Sequence, residues 1–581
     1  MKTTSTSTVT TLSAILSLGF CVAAGAGRAT YDVIVKGGLI YDGTGGAPYL
    51  GDVGIRGDRI AYVGKSRPMT GRQVLEAHGQ VIAPGFINML SQAQESLFVD
   101  GREESDLFQG VTLEVMGEGD SMGPLTDSMA ARNAERQSDI KYPIDWRTLG
   151  QYLAGRERAG ASLNLASFVG AATVRDFVLG EADVQPSEQQ LQQMRGLVRQ
   201  AMEEGALGVS SALIYAPATF AKTDELVALA TESGRCGGIY ITHMRSEGDR
   251  FLEAVDETVS IAQLSGAPAE IYHLKAAGKS NWPKLDAAIE KVEAARASGV
   301  RITADMYAYT AGGTGLDAAM PPWVREGGLE AWIQRMKDPA VRARVAKEMA
   351  DPEAGYENLF LKAGADGMIL AVFKNDKLKP LTGKSLGEVA RLRNTSPQET
   401  AMDLVIEDGS RIGVIFFVMS EDNVRKETTL PWMSFGSDEA APAPEGIFVK
   451  SHSHPRAYGN FAKVLAKYVR SEKAVSLGDA IHRMTGLPAA NLSLSKRGLL
   501  REGYFADVVV FDPAAIQDHS TYENPHQLAT GVSNVLVNGQ LAMLNGKATG
   551  AHSGRFVRGR AWTGGKDGGC RPSARQWEWT W

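Results

Sequence analysis

Residues that could bind a metal ion or transfer a proton recur through the middle of the chain, each at the end of a short apolar run. They are Glu118, Tyr215, His243, Arg245, His273, Lys275, Tyr307, Tyr309 and Asp438. Two imidazoles and a carboxylate, here His243, His273 and Glu118, are ligand types that Zn2+ takes at about 2.0 to 2.2 Å. Glu114 and Asp120 compete with Glu118 for the third position. A single histidine at such a place is more often structural, so the metal hypothesis depends on all three side chains converging.

The apolar runs alternate with helical stretches, which predicts a repeated strand-helix unit. The candidate strands are residues 81–88, 112–116, 163–169, 207–211, 238–244, 269–275, 302–307 and 434–438. In the helical stretch "WPKLDAAIEKVEAARASG", Leu285, Ile289 and Val292 fall on one face and Gly299 ends the helix. Eight such units predict an α/β fold, a (β/α)8 TIM barrel, in which the residues at the C-terminal strand ends meet at one mouth.

The rest of the sequence divides around this barrel, which we place at residues 83–484. The segment of about 311–430 is too long for a loop between the last two strands, which predicts an inserted helical cap. The flanks, residues 31–82 and 485–560, alternate apolar and polar positions between Gly-rich turns, as short antiparallel strands do. We expect the flanks to form one small sheet domain, followed by a C-terminal tail at 561–581.

Composition and charge indicate a soluble globular protein with a small-molecule ligand. The chain is 44% hydrophobic and 22% charged, and its 61 Lys and Arg residues nearly balance its 67 Asp and Glu residues. Because the sequence contains no long basic run interleaved with aromatic residues, a nucleic-acid partner has no electrostatic basis. The oligomeric state is left open by the sequence.

The first 26 residues have the pattern of a secretory signal peptide. A lysine and a Ser/Thr-rich lead precede an apolar run at 12–24, and the small residues "AGAG" suit cleavage after Ala26. The apolar run is shorter than the roughly 20 residues that span a bilayer, so a membrane anchor is disfavoured. We therefore expect a secreted or periplasmic protein without membrane contact after processing. Only Cys236 and Cys570 then remain, enough for one optional bridge.

Seven stretches carry a family resemblance. In chain order they are "VIAPGFIN", "SSALIYAPATFAKTDELVALA", "GGIYITHMRSEGDR", "IYHLK", "ADMYAYTAGGTGL", "FGSD" and "HPRAYGNFAKVLAKYVR". Together they resemble the N-acyl-D-amino-acid deacylases (D-aminoacylases) of the amidohydrolase superfamily, from about residue 31 to about residue 545. The resemblance implies a (β/α)8 barrel with a small β-sandwich domain, in which zinc activates a water that attacks the amide of an N-acyl-D-amino acid.

The resemblance also assigns metal ligands, with two departures from the family pattern. The tightly held zinc of the family uses a histidine in "THMR" and one in "HxK", which match His243 and His273. The family's "DxHTH" is replaced by "NMLSQ", with Leu90 and Gln92 at the two histidine positions, and neither offers a good zinc ligand. The family cysteine of "GNCG" is also missing, because Gly119 aligns with it. A carboxylate serves at this strand in some other amidohydrolases, so Glu118 is assigned as the third ligand of one zinc per chain.

The remaining candidates complete a hypothetical mechanism. Asp438 would act as general base towards the attacking water, although an aspartate in "GSDEAA" could instead cap a turn. The product carries an α-carboxylate, for which Lys275 is favoured and Arg456 is the second candidate. Tyr215 and Tyr309 could orient the substrate through their hydroxyls, or serve only in packing.

Two other functions stay open. The first is a different amidohydrolase with the same metal, such as an isoaspartyl-type dipeptidase or a cyclic-amide hydrolase, although "LIYAP" and "HPRAYG" favour the deacylases. The second is a catalytically inactive secreted binding protein, since both the His-x-His pair and the cysteine are gone. Against it stands the presence of His243, His273, Lys275 and Asp438 together at strand ends. His452 and His454 form a His-x-His after strand eight, where a structural or indirect role is expected.

Overall fold

The computed structural model describes residues 31–564 and 569–570. The signal segment predicted for 1–26 and most of the tail predicted for 561–581 therefore lie outside the described residues. Within the described part, none of the helices has the length and apolar character needed to cross a membrane. A disulfide joins Cys236 to Cys570, so the one bridge that the sequence allows is formed.

Strands and helices alternate along most of the described chain. The strands are β1 Tyr31–Ile40, β2 Tyr49–Arg56, β3 Arg59–Gly64, β4 Gly71–Glu76, β5 Val81–Pro84, β6 Phe86–Asn88, β7 Val111–Met116, β8 Asn164–Ser167, β9 Val169–Gly170, β10 Gly208–Ala212, β11 Ile239–His243, β12 Ala269–Ile271, β13 Ile302–Met306, β14 Gly312–Gly315, β15 Met368–Val372, β16 Gly413–Phe416, β17 Met433–Phe435, β18 Val508–Phe511, β19 Val532–Val537, β20 Gln540–Leu544 and β21 Lys547–Ala548. The α-helices are α1 Glu104–Leu107, α2 Asp127–Arg136, α3 Leu149–Ala159, α4 Ala171–Leu179, α5 Glu188–Glu204, α6 Thr223–Arg235, α7 Phe251–Ser265, α8 Leu285–Ala297, α9 Gly328–Arg335, α10 Pro339–Met349, α11 Leu359–Ala363, α12 Leu386–Arg393, α13 Pro397–Asp408, α14 Glu421–Glu427, α15 Arg456–Lys463, α16 Leu477–Met484 and α17 Gly486–Asn491.

Parallel strands in chain order form the centre of the fold. One parallel sheet has the order β6-β7-β8, and a second has the order β9-β10-β11-β12-β13-β17. Two backbone hydrogen bonds link these sheets, from the Leu207 amide to the Ser167 carbonyl (3.0 Å) and from the Met89 amide to the Phe435 carbonyl (3.2 Å). Helices such as α5, which begins with a capping box at Ser187, connect successive strands. The predicted α/β class is confirmed.

The predicted strand at 81–88 is two strands in the structure. β5 pairs with the flanking strands β1 and β18, whereas β6 pairs with β7 of the parallel sheet. Gly85 separates them, and a Cβ atom there would lie 2.1 Å from Thr112 Oγ1. Only glycine permits this close approach, so the chain passes from one sheet to the other at that point.

The N- and C-terminal flanks share one sheet. Its order is β21-β20-β19-β18-β5-β1-β2-β3, and β4 also pairs with β1. The antiparallel pair β18 and β5, with Val509 opposite Ala83, joins the two flanks. Val35, Val53 and Val508 belong to the apolar cluster that packs against this sheet, so segments more than 400 residues apart in the sequence form a single hydrophobic unit.

The segment 311–430 contains helices α9–α14 and an antiparallel sheet of order β14-β16-β15. The insertion, which we call the cap, is therefore partly β structure rather than purely helical. Its strand β14 has the sequence "GGTG", and glycine weakens strand propensity, so the pairing with β16 could not be read from the sequence. The cap places Thr314 and Arg411 beside the cavity described next.

Candidate active site

The C-terminal ends of the parallel strands border a cavity of about 330 Å³. The predicted site residues in its wall are Glu118, Tyr215, His243, His273, Lys275, Asp438 and Arg456. Tyr309 is not brought to this wall: its buried ring lies below Lys463, whose Nζ is 3.7 Å from the ring centroid. Tyr307, two residues earlier, lines the cavity instead.

Glu118, His243 and His273 form the one group among the described residues whose side chains could jointly hold a metal ion, with ligand atoms all within 4.8 Å of one another. His243 ends β11, His273 lies just beyond β12, and Glu118 follows β7. Glu118 Oε1 lies 3.1 Å from His243 Nδ1 and 2.8 Å from His273 Nε2. Two imidazole nitrogens and one carboxylate oxygen, with room for a fourth ligand, are the donor set of a catalytic zinc site.

The turn after β7 explains why Glu118 is the residue that reaches the histidines. Gly119 has φ +66°, and a Cβ atom on it would lie 2.5 Å from Ala212 Cβ and 2.8 Å from Ala212 N. No larger residue, cysteine included, fits at that position. Of the competing acids, Glu114 is buried and accepts a hydrogen bond from Ser91 (3.2 Å), and neither it nor Asp120 joins the metal-binding group.

Glu247 lies behind the two histidines, and the sequence analysis did not identify it as a site residue. Its Oε1 is 3.0 Å from His273 Nδ1, and its Oε2 is 3.8 Å from His243 Nε2. A carboxylate that faces the outer nitrogen of a ligand histidine fixes the tautomer and leaves the inner nitrogen free to bind metal. His243 Nε2 is buried and has no hydrogen-bond partner among the described residues, and Glu247 Oε2 is the carboxylate oxygen that faces it. The spacing of four residues from His243 was the only signal for this role.

Lys275 completes this arrangement from behind. Its Nζ is 2.5 Å from Glu247 Oε1 and 2.7 Å from His273 Nδ1, and its side chain is buried. Burial raises the pKa of Glu247, but Lys275, His243 and His273 outweigh it and hold that pKa well below its usual value. Burial and Lys275 lower the pKa of His273, yet Glu247 and Glu118 outweigh them and raise it to about 10. A proton and a metal ion therefore compete for His273.

Gln92 and Leu90 stand where the sequence suggested a lost metal pair. Gln92 Nε2 donates to Glu118 Oε2 (2.9 Å) and to Asp438 Oδ1 (3.3 Å). Leu90 is fully buried beneath Gly436, where a Cβ atom would lie 2.9 Å from Leu90 Cβ. The amide of Gln92 therefore contacts two cavity carboxylates, while Leu90 belongs to the core.

Asp438 faces the metal-binding group from the end of β17. Its Oδ2 forms an ion pair with Arg456 Nη1 (2.8 Å), and its amide donates to the Leu90 carbonyl (2.8 Å). Asp438 has φ +51°, a left-handed conformation that a non-glycine residue adopts only when its surroundings hold it there. His454 accepts a hydrogen bond from the Arg456 amide (3.1 Å), an indirect role in support of this ion pair.

Tyr215 and the cap form another part of the cavity wall, with the Tyr215 ring 5.4 Å from that of His243. The Tyr215 hydroxyl lies 2.7 Å from Thr314 Oγ1 of β14. Arg411 lies 5.1 Å from the Tyr215 ring and bonds Asp317 through Nε (2.8 Å). Arg411 lines the cavity, and its buried Nη2 has no hydrogen-bond partner among the described residues. This residue could not be identified from the sequence, because it lies within the inserted segment.

Comparison with known proteins agrees with this architecture. Residues 73–543 match the model of the amidohydrolase family. A D-aminoacylase of Alcaligenes xylosoxydans xylosoxydans is 30% identical over 528 residues, 91% of this chain and 97% of the relative. A D-aminoacylase structure whose binuclear centre is described by one-metal activation and second-metal attenuation superposes with TM-score 0.76 at 30% identity, covering 91% of this chain and 100% of that one. The N-acyl-D-glutamate deacylase of Bordetella bronchiseptica, complexed with zinc and a phosphonate inhibitor, superposes with TM-score 0.75 at 26% identity, covering 91% and 99%.

Proposed function

The chain belongs to the amidohydrolase family, and from that premise we propose that it is a zinc-dependent hydrolase of N-acyl-D-amino acids. It cleaves the amide bond to give a carboxylic acid and a free D-amino acid. The observation that carries this proposal is the group of Glu118, His243 and His273, which faces Asp438 in one cavity. Identity of 30% to a D-aminoacylase over 91% of the chain supports the same activity.

The donor set fits one zinc ion per chain. Glu118, His243 and His273 provide the ligands, Leu90 has no ligand atom, and the Gln92 amide group turns its donor nitrogen to the cavity carboxylates. Zinc bound there would polarise the scissile carbonyl and activate a water molecule. Sites of three protein ligands with an open position are those that catalyse hydrolysis.

The protein's own groups then move the protons and hold the substrate. Asp438 accepts the proton of the attacking water and returns it to the leaving amine, with Arg456 fixing its other oxygen. Lys275, which lines the cavity beside Glu247, supplies the cation for the substrate carboxylate, and Arg411 lines the same cavity as a second cation. Tyr215, whose ring lies 5.4 Å from that of His243, orients the substrate.

We further propose that the two parallel sheets close into a (β/α)8 barrel, with the flank sheet as the small β-sandwich domain. The hydrogen bonds from Leu207 to Ser167 and from Met89 to Phe435 support closure, since they join both ends of the two sheets. Structural likeness to D-aminoacylase over 91% of the chain supports the same arrangement.

Export remains a proposal. The pattern of residues 1–26 predicts a signal peptide. The Cys236–Cys570 disulfide supports secretion or periplasmic residence, because disulfides persist in oxidising compartments.

The proposal is tested with purified mature protein loaded with zinc. N-acetyl-D-amino acids and their L forms are supplied separately, and the released amino group is measured. We expect hydrolysis of D substrates, with about one zinc per chain by elemental analysis. A zinc-loaded protein that hydrolyses no N-acyl-D-amino acid would exclude the proposal. Hydrolysis of isoaspartyl dipeptides or cyclic amides instead would select the other amidohydrolase function, and ligand binding without turnover would select the binding protein.

A further inference from the structure

The amide of Gln92 lies between two carboxylates that the proposed mechanism uses for different purposes. Its Nε2 donates to Glu118 Oε2 at 2.9 Å and to Asp438 Oδ1 at 3.3 Å. Each carboxylate engages its other oxygen elsewhere, Glu118 Oε1 with the two histidines and Asp438 Oδ2 with Arg456. An amide NH2 group carries two protons, so it can satisfy two acceptors at once.

The backbone holds this amide in place. The Gln92 amide nitrogen donates to the Glu439 carbonyl (2.9 Å), and the Asp438 amide nitrogen donates to the Leu90 carbonyl (2.8 Å). Ser91 and Glu439 pair as a short parallel bridge between these two segments. The loop after β6 and the loop after β17 are therefore locked together, and the Gln92 side chain enters the cavity from that joint.

Two carboxylates this close repel each other unless a positive group lies between them. A metal ion is one such positive group. The partial positive charge of an amide NH2 is a weaker one, and because it is part of the chain it does not have to be bound from solution. A second metal ion at this place would need the oxygens that Gln92 already occupies, Glu118 Oε2 and Asp438 Oδ1. Leu90, which is 0% exposed and packed in the core, provides no imidazole ligand for a second metal ion.

We propose that Gln92 is a positioning residue that replaces a second cation. Its amide bridges Glu118 and Asp438, holds Asp438 in the orientation needed for proton transfer, and limits the site to one metal ion. The part of this inference that concerns proton transfer rests on the proposed function, whereas the limit of one metal ion does not.

The limit of one metal ion per chain is tested on the unaltered protein. After incubation with excess zinc and removal of unbound ions, elemental analysis should give one zinc per chain at every excess used. Two zinc ions per chain would overturn the proposal. This result is independent of turnover, so it still decides the limit of one ion if no N-acyl-D-amino acid is hydrolysed and the proposed function fails.

The proposed role of Gln92 in positioning Asp438 is tested with substitutions of different shape at Gln92. Gln92→Leu removes both donors, and Gln92→Glu keeps the size of the side chain while replacing the donors by a third negative charge. Misplacement of a reacting group by about 1 Å costs about 100-fold, so each variant should lose kcat by about 10- to 100-fold, with KM within about twofold and at least one zinc per chain retained. A role in packing alone predicts that Gln92→Met, which keeps the length of the side chain without its donors, retains the kcat of the unaltered protein.

Gln94→Leu is the matched control. Gln94 lines the same cavity, but its side chain does not bridge Glu118 and Asp438, and its contact with Tyr152 uses the backbone carbonyl (2.7 Å). We expect kcat within about twofold of the unaltered protein. Wild-type kcat in Gln92→Glu, with one zinc bound, would overturn the positioning role even if Gln92→Leu did not fold.

Discussion

We expect Glu247→Gln to weaken zinc binding by about 10- to 100-fold, the usual cost of removing a group that orients a ligand histidine. Glu247 contacts no substrate in this proposal, and its effect passes through the outer nitrogens of His243 and His273. Glutamine keeps the shape of the side chain, but its NH2 group can donate to His273 Nδ1 and so favour the tautomer that presents a proton, not a lone pair, to the metal.

The magnitude follows from the contacts. Glu247 Oε1 lies 3.0 Å from His273 Nδ1 and 2.5 Å from Lys275 Nζ, and these three side chains are 9%, 2% and 6% exposed. Each tenfold step in affinity corresponds to about 1.4 kcal/mol, so the expected loss is about 1.4 to 2.8 kcal/mol. Since water does not screen these groups, the substitution also leaves the Lys275 charge buried without its partner, which costs about 3 to 5 kcal/mol of stability.

A second variant separates the two effects. Glu247→Gln/Lys275→Met removes both buried charges, so it should recover part of the lost free energy of unfolding without recovering zinc affinity. Zinc affinity is measured by competition with a chromophoric chelator, and stability by urea unfolding with chelator present. Wild-type zinc affinity in Glu247→Gln would refute the role given to Glu247, as would recovery of that affinity in the double variant.

Three further outcomes are expected. Asp438→Asn should bind one zinc and lose about 10²- to 10⁴-fold in kcat, the usual contribution of a general base; a zinc-loaded variant with full activity would remove that assignment. Burial raises the pKa of Glu270 from 4.5 to about 7, so the folded state binds the proton more tightly than the unfolded state. The free energy of unfolding should therefore fall between about pH 4.5 and 7, by up to about 1.4 kcal/mol per pH unit from this group. Glu270→Gln should make that slope shallower in urea unfolding at several pH values, and an unchanged slope would contradict the assignment. Gly119→Ala, which puts a Cβ atom 2.5 Å from Ala212 Cβ at φ +66°, should lower the unfolding free energy by at least about 1 kcal/mol. Gly409→Ala is the control for backbone strain without a collision, since Gly409 has φ +63° and open space around it; equal losses in the two variants would contradict the effect of the collision.

The parallel strands and the group of Glu118, His243 and His273 could be predicted because each depends on local sequence. Short apolar runs ending in polar residues mark parallel strands, and the C-terminal ends of such strands meet at one edge. The proximity of Glu118, His243 and His273, one residue from each of three strand ends, could therefore be predicted without knowing which distant residues are in contact.

The partners of these residues could not be predicted in the same way. Gln92 contacts Asp438, a residue 346 positions away in the sequence. Without that contact, the sequence indicates only that a metal-binding histidine is missing at position 92. Arg411 lies in the cap, where no strand pattern indicates which loop faces the cavity. Tyr309 was predicted at the cavity because it follows the end of a candidate strand, but β13 ends at Met306, and beyond that residue the chain no longer has the two-residue period of a strand.

The cavity is built from two separable stretches of the gene. Glu118, His243, His273 and Asp438 lie at or just beyond the ends of the parallel strands, whereas Thr314 and Arg411, which line the same cavity, lie in the cap. The cap is inserted between two neighbouring strands, β13 and β17, which pair directly with each other. Recombination at these two points would exchange the cap side of the cavity and leave Glu118, His243, His273 and Asp438 untouched. A chain with this layout can acquire a new cavity wall in one genetic step while the residues at the strand ends are inherited unchanged.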